Sequence, residues 1–249
     1  MATIQADEKV IARSDDKTYS FTCTTFIKRE IPLEKRHISR MTGKPVVNPF
    51  LAERFENEAA ALNLIRHHTS IPVPDLKGCG RDENGNLYLE TALVPGVRAD
   101  MAGDECRMPT PHRPDGQKTG ECSKCGELAR QNCDHFIKET LYPELSLLKA
   151  RSTGLKGNVI PPTFVLGFDA RERWEPKEST CAEYFMTHGD LALHNIMVSL
   201  ETLQVVSILD WEHSGYFPPD FQHWSDTRAG YGALFRNEEL QKLVAMIEP

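Results

Sequence analysis

The chain has 249 residues, 40% apolar and 26% charged, with a formal net charge of −7. Such a make-up belongs to a folded globular protein with a sizeable core and excludes a disordered or fibrous chain. An acidic balance with no long basic run excludes broad nucleic-acid binding, which needs a cationic surface. No apolar stretch reaches the roughly 18 residues of a membrane span, and MATIQADEKV has neither the basic nor the apolar region of a leader. With seven cysteines, an odd number, the sequence predicts a reducing compartment, a cytoplasmic location and no membrane partner.

In chain order, KVIAR (9–13) and TYSFTCTTFIK (18–28) read as two strands around the turn Ser14-Asp15-Asp16-Lys17. Asn48-Pro49 reads as an N-cap followed by proline at the first helical position, opening a helix to about His68. Phe55, Ala59, Leu62 and Ile65 make one apolar face of it, and Glu58 falls on that face. A carboxylate there either reaches water at the edge or needs a cationic partner. IPVPDL (71–76) is extended by its prolines, and NLYLETALV is a strand after the Asn84-Gly85 turn. Residues 96–133, rich in Gly, Pro, Cys and charge, read as a long loop or insert. Asp134 is the predicted cap of a helix to about Ala150, and VIPPTFVLGF (159–168) reads as extended. EYFMTH ends a strand, NIMVSLETLQVVSILD gives two short strands joined at Glu201-Thr202, and a last helix begins near Glu238.

Between those strands lies HGDLALHN (188–195), and the second strand of the hairpin ends in Asp210 of ILDWE. Asp190, Asn195 and Asp210 therefore meet at one end of a small sheet. Phosphoryl transfer from ATP asks for such a set: Mg2+ takes carboxylate and amide oxygens, and a further carboxylate orients the acceptor hydroxyl and takes its proton. Asp190 suits the acceptor role, while Asn195 and Asp210 suit the metal. His188 is assigned to fixing the loop by hydrogen bonds.

HGDLALHN and ILDWE resemble the catalytic loop and metal-binding segment of the aminoglycoside phosphotransferase and choline kinase family, most closely its fungal members of unassigned substrate. The resemblance covers nearly the whole chain, loosely over 96–133. It implies an α+β, two-lobed protein-kinase-like fold: a small β-rich N-lobe (1–92, nucleotide-binding) and a larger, mainly helical C-lobe (93–249) carrying the catalytic loop and metal site. It further implies that Lys28 of TFIKRE contacts the nucleotide phosphates and that Glu58 is its ion-pair partner. In LYLETALVPGV it implies a hinge near 89–92, with backbone groups at Glu90, Thr91 and Ala92 bonding adenine.

Gly189 stands where protein kinases carry an arginine, and Asp210 is followed by Trp-Glu rather than Phe-Gly. With no activation segment, these features predict a small-molecule acceptor rather than a protein. The Ser14–Lys17 turn holds no glycine, so the lid over the phosphates is expected to be differently built and ATP binding weak. With 39 residues after Asp210, the wall of the acceptor site is expected to be short.

Within the insert, Cys122 and Cys125 form a CxxC pair with Cys106 and Cys133 in the same segment and His112 and His135 nearby. Such a set predicts either a structural Zn2+ site, with Cys106, Cys122, Cys125 and Cys133 as candidate ligands, or reduced thiols in a loop. Cys23, Cys79 and Cys181 are expected to be small buried hydrophobes. Two functions follow: an ATP- and Mg2+-dependent phosphotransferase acting on a small molecule, or a kinase-like scaffold without turnover that uses a zinc-stabilised insert. Protein partners are not specified by the sequence.

Overall fold

The structure is a computed structural model that describes residues 8–109, 112, 116–226 and 237–249. The N-terminal half is a five-stranded antiparallel sheet in the order β1-β2-β3-β5-β4, built from β1 (Lys9–Arg13), β2 (Lys17–Phe21), β3 (Thr25–Glu30), β4 (Leu76–Arg81) and β5 (Leu87–Ala92). The expected single strand over 18–28 is a hairpin, β2 and β3. Thr22 ends β2 because its hydroxyl accepts the amides of Thr24 and Thr25 and forces a turn. Strand β4 was not anticipated, since LKGCGR lacks an apolar alternation. Gly78 is under the ring of Tyr88 from β5, where an added Cβ would lie 3.2 Å from the phenol oxygen.

Helix α1 (Leu51–His68) packs across β4 and β5. It starts later than expected: Phe50, in a left-handed conformation, is the cap. The Asn48 side chain instead hydrogen-bonds Asp16. As the spacing predicts, Phe55, Leu62 and Ile65 are buried, and so is Glu58.

Two three-stranded sheets follow. In one, β10 (Val205–Ile208) and β6 (Val97–Arg98) flank β9 (Ile196–Val198); in the other, β11 (Gly215–Phe217) and β7 (Lys149–Ala150) flank β8 (Tyr184–Thr187). Helix α2 (Ser123–Phe136) runs through a stretch of π-helix (Ile137–Leu141) into α3 (Tyr142–Leu147). Asp134 therefore sits inside a helix rather than at its start. Cys125, Ala129, Cys133, Ile137, Leu141 and Leu145 recur every four residues and are all fully buried. This apolar stripe was masked in the sequence by its cysteines. The π turn precedes Pro143, which has no N–H to continue the ladder.

The segment expected to be extended at 159–168 becomes helical after its prolines as α4 (Thr163–Phe168). It packs against α5 (Asn237–Ile247), the terminal helix that the sequence predicts. The main core joins Ala61, Leu62 and Ile65 of α1 to the α2–α3 stripe and to Ile196, Ile208 and Trp211. Cys23 and Cys181 are exposed and Cys79 is half-buried, contrary to the expectation of burial. No helix among the described residues is long and apolar enough to cross a membrane.

Candidate active site

The β8–β9 connection carries His188, Gly189, Asp190 and a 3-10 turn (Leu193–Asn195), and the end of β10 leads to Asp210. These two segments are sewn together. The Leu209 amide donates to the Asn195 carbonyl at 2.8 Å, and His188 Nε2 lies 2.8 Å from the Leu209 carbonyl. The Asp190 amide donates to His188 Nδ1 at 3.2 Å. Both ring nitrogens are thus committed, which is the bonding role the sequence assigns to His188. Burial holds its pKa below the ordinary histidine value. Gly189 has φ of +81°, and an added Cβ would fall 2.1 Å from the His213 carbonyl oxygen. Any side chain at 189 is excluded by that contact, which supplies a local physical reason for glycine.

Asn195 Nδ2 donates to the Asp190 carbonyl at 2.8 Å and lies 3.3 Å from Asp190 Oδ2. The amide is thereby oriented, with Oδ1 left as its acceptor atom. Thr163, the first residue of α4, places its hydroxyl 3.4 Å from Asp190 Oδ1. Asp210 adopts φ of +62°, a conformation uncommon outside glycine that costs energy where the surroundings impose it.

Lys28, on β3, meets the Glu58 oxygens at 2.9 and 2.7 Å and Asp210 Oδ1 at 2.6 Å. The edge-or-partner question over Glu58 is answered by this contact: it is buried and paired. Burial opposes the Lys28 charge, but Asp210 and Glu58 outweigh it and lift the ammonium well above the ordinary lysine value.

Beside this triad lies a second buried set that the sequence reading missed. Lys17 contacts Glu212, and Arg54 bridges Glu212 Oε1 at 3.1 Å and Asp16 Oδ2 at 2.5 Å. Asn57 Nδ2 donates to the carbonyls of Glu212 and Ser214 at 3.1 and 2.7 Å. Burial works against the Glu212 charge, yet His213, Lys17, Lys28 and Arg54 hold its carboxyl well below the usual range. Glu212 belongs to the ILDWE motif, but its partners are 155 to 195 residues away in sequence, so spacing carried no sign of them. In these two sets the carboxylates of Asp16, Glu58, Asp210 and Glu212 face the cations Lys17, Lys28 and Arg54. Four carboxylates share three cations, and burial raises the Glu58 carboxyl to about 7.

A cavity of about 450 Å³ opens beside Lys28. Its walls include Lys28, Glu58, Asn195 and Asp210, Ile11 and Ala12 of β1, and the chain from Thr91 to Val94. Glu90 is not in this wall. It is paired within the sheet with Ile27 on one side and Gly78 on the other, and the amides of Ala92 and Leu93 donate to Asp75 and Thr24. Of the residues expected at the hinge, Leu89, Thr91 and Ala92 line the cavity, and the lining continues to Leu93 and Val94.

In the insert the structure brings Cys106, Cys122 and Cys125 together with His112. Cys133 is not among them. It lies in the α2 stripe, where burial pushes its thiol up to about 12. A side chain eight residues past Cys125 on a continuous helix cannot fold back onto the CxxC turn.

No family model matches the sequence, and no curated protein matches it. Solved structures do. The GDP complex of a point mutant of aminoglycoside 2'-phosphotransferase-IIIa matches 98% of this chain and 77% of its own, with TM-score 0.52 at 12% identity. The GDP and kanamycin complex of APH(2")-IIIa matches 99% and 80%, with TM-score 0.52 at 13% identity. The fold is the two-lobed, kinase-like α+β fold of the aminoglycoside phosphotransferases.

Proposed function

We propose that the protein is a small-molecule kinase that transfers the γ-phosphoryl group of ATP, with Mg2+, to a hydroxyl of its acceptor. One observation carries this reading: Lys28, clamped by Glu58 and Asp210, shares a single cavity with Asn195 at the foot of the Asp190 loop. With the three cations already engaged by carboxylates, these side chains alone do not suit a polyphosphate, whereas a divalent cation would supply the positive charge it needs. Asp210 Oδ2 and Asn195 Oδ1 are hard oxygen donors of the kind Mg2+ takes. Held by these side chains, Mg2+ would supply the positive charge that neutralises a transferring phosphoryl group.

In this reading Lys28 presents its ammonium to the phosphates, positioned by Glu58 and Asp210. Asp190 orients the acceptor hydroxyl and takes its proton, with Thr163 and Asn195 aiming its carboxylate. The chain at Leu93 and Val94, where the Leu93 amide is already taken by the Thr24 carbonyl, lines the part of the cavity that would receive the nucleotide base.

The test combines binding with turnover. Millimolar Mg2+-ATP should raise the unfolding midpoint, by the equivalent of about 2.7 kcal/mol at a hundredfold excess over Kd, with GTP run beside it because both neighbouring structures carry GDP. Asp210→Asn should lose the Mg2+-dependent part of the shift. Asp190→Asn should keep the shift and lower transfer by about 10²- to 10⁴-fold. An unchanged midpoint with either nucleotide would sink the proposal.

A second reading, a kinase-like binding protein without turnover, is favoured by the β1–β2 turn. Asp16 and Lys17 of that turn are buried on Arg54 and Glu212, so the turn offers no glycine amides to phosphate. Nucleotide binding with no Asp190-dependent transfer to any acceptor would select this reading.

A further inference from the structure

The insert holds a cluster that the kinase chemistry does not use. Cys106, His112, Cys122 and Cys125 place one ligand atom each within 4.8 Å of all the others. We propose that these four residues form a structural zinc site, with His112 rather than Cys133 as the fourth ligand, and that the site braces the catalytic loop.

Geometry and donor chemistry agree. In a tetrahedron with Zn–S bonds of about 2.3 Å, ligand atoms lie roughly 3.7 Å apart. Cys125 Sγ and His112 Nδ1 already stand 3.9 Å apart, so closure needs only a small contraction. Three sulfurs and one imidazole with no carboxylate select zinc over the hard cations Mg2+ and Ca2+. The three cysteines are buried and form no disulfide. A disulfide would use two of the thiols and leave the third, and the imidazole, without a reason to converge. The Arg107 amide donates to Cys125 Sγ and the His112 amide to Cys106 Sγ, each at 3.4 Å. Backbone N–H groups aimed at sulfur stabilise thiolate charge, as outer-shell donors do around metal ligands. Zinc would replace the three thiol protons, which leave to solvent.

The position gives the site a task. Cys106 follows the 3-10 turn Ala99–Met101, and Cys122 and Cys125 begin α2. That turn packs between α2 and the turn Leu193–Asn195, which carries Asn195. The Cys122 amide donates to the Gly103 carbonyl at 2.7 Å, so the metal would close a short clip beneath the catalytic loop. The sequence between Cys106 and Cys122 is rich in Pro, Gly and charge and poor in large apolar residues, a composition for which a bound metal supplies folding energy.

The experiment uses the full chain, purified under reducing conditions without chelator. Elemental analysis should find one zinc per chain. Co2+ exchanged for zinc should give thiolate-to-cobalt charge transfer and the visible bands of a tetrahedral site with three sulfur ligands and one nitrogen. His112→Ala should weaken metal retention at least tenfold, while His112→Cys should keep the metal and shift the cobalt bands. Cys133→Ala should retain one equivalent. Absence of zinc as purified, together with a featureless Co2+ spectrum on reconstitution, would overturn the site. Loss of metal in Cys133→Ala with retention in His112→Ala would overturn the ligand assignment. Because these readouts are metal content and spectra, they stand apart from any failure of nucleotide binding.

Discussion

At residue scale, His188 shows how a site histidine can be structural. Its Nδ1 accepts the Asp190 amide and its Nε2 faces the Leu209 carbonyl, with the ring 4.5 Å from that of Trp211. A second proton would have to displace the Asp190 amide. The unfolded chain takes that proton near pH 6.5, whereas the folded chain resists it to lower pH. Stability present at neutral pH is therefore lost as pH falls below about 6.5 toward the folded value. The unfolding midpoint should drop across this window. His188→Gln, with a similar donor and acceptor, should lower the plateau but flatten the slope by one histidine's share. An identical slope in the variant would refute the account.

At the scale of elements, α2 was concealed, as were the short strands β6, β7 and β11. The β9–β10 hairpin, which brings the Asn195 and Asp210 segments together, was legible because alternation along its strands fixes it, whereas the Lys28–Glu58 pair, 30 residues apart in sequence, was expected only from the family resemblance. Lys17, Arg54 and Asp16 were illegible, since their encounter with Glu212 is tertiary. Helix α2 was missed because cysteine was weighed as a ligand, while Cys125 and Cys133 also serve as small apolar residues on the stripe. The stripe sets graded costs: Leu141→Ala should destabilise by about 3 kcal/mol, whereas Cys133→Ala should cost roughly 1 kcal/mol. Urea titration of the two variants checks the order, and equal costs would contradict a packing role.

At the scale of the whole molecule, Glu212 is where the two halves of the fold meet. Lys17 comes from β2 and Arg54 and Asn57 from α1, and all three close on residues 212–214 just past the Asp210 segment. Glu212→Gln would strand two buried cations, at a cost on the order of 3 kcal/mol, and Lys17→Met with Glu212→Gln should cost less than the two singles summed. Equilibrium denaturation of the four proteins in the cycle tests this, and strict additivity would contradict direct coupling. The same clasp bears on cooperativity. Neither half can expose its surface without abandoning paired charges in the other, so the chain should melt in one calorimetric transition whose van't Hoff and measured enthalpies agree. Cutting the clasp at Glu212 should let the β-rich half open first, as a separate unit at lower temperature.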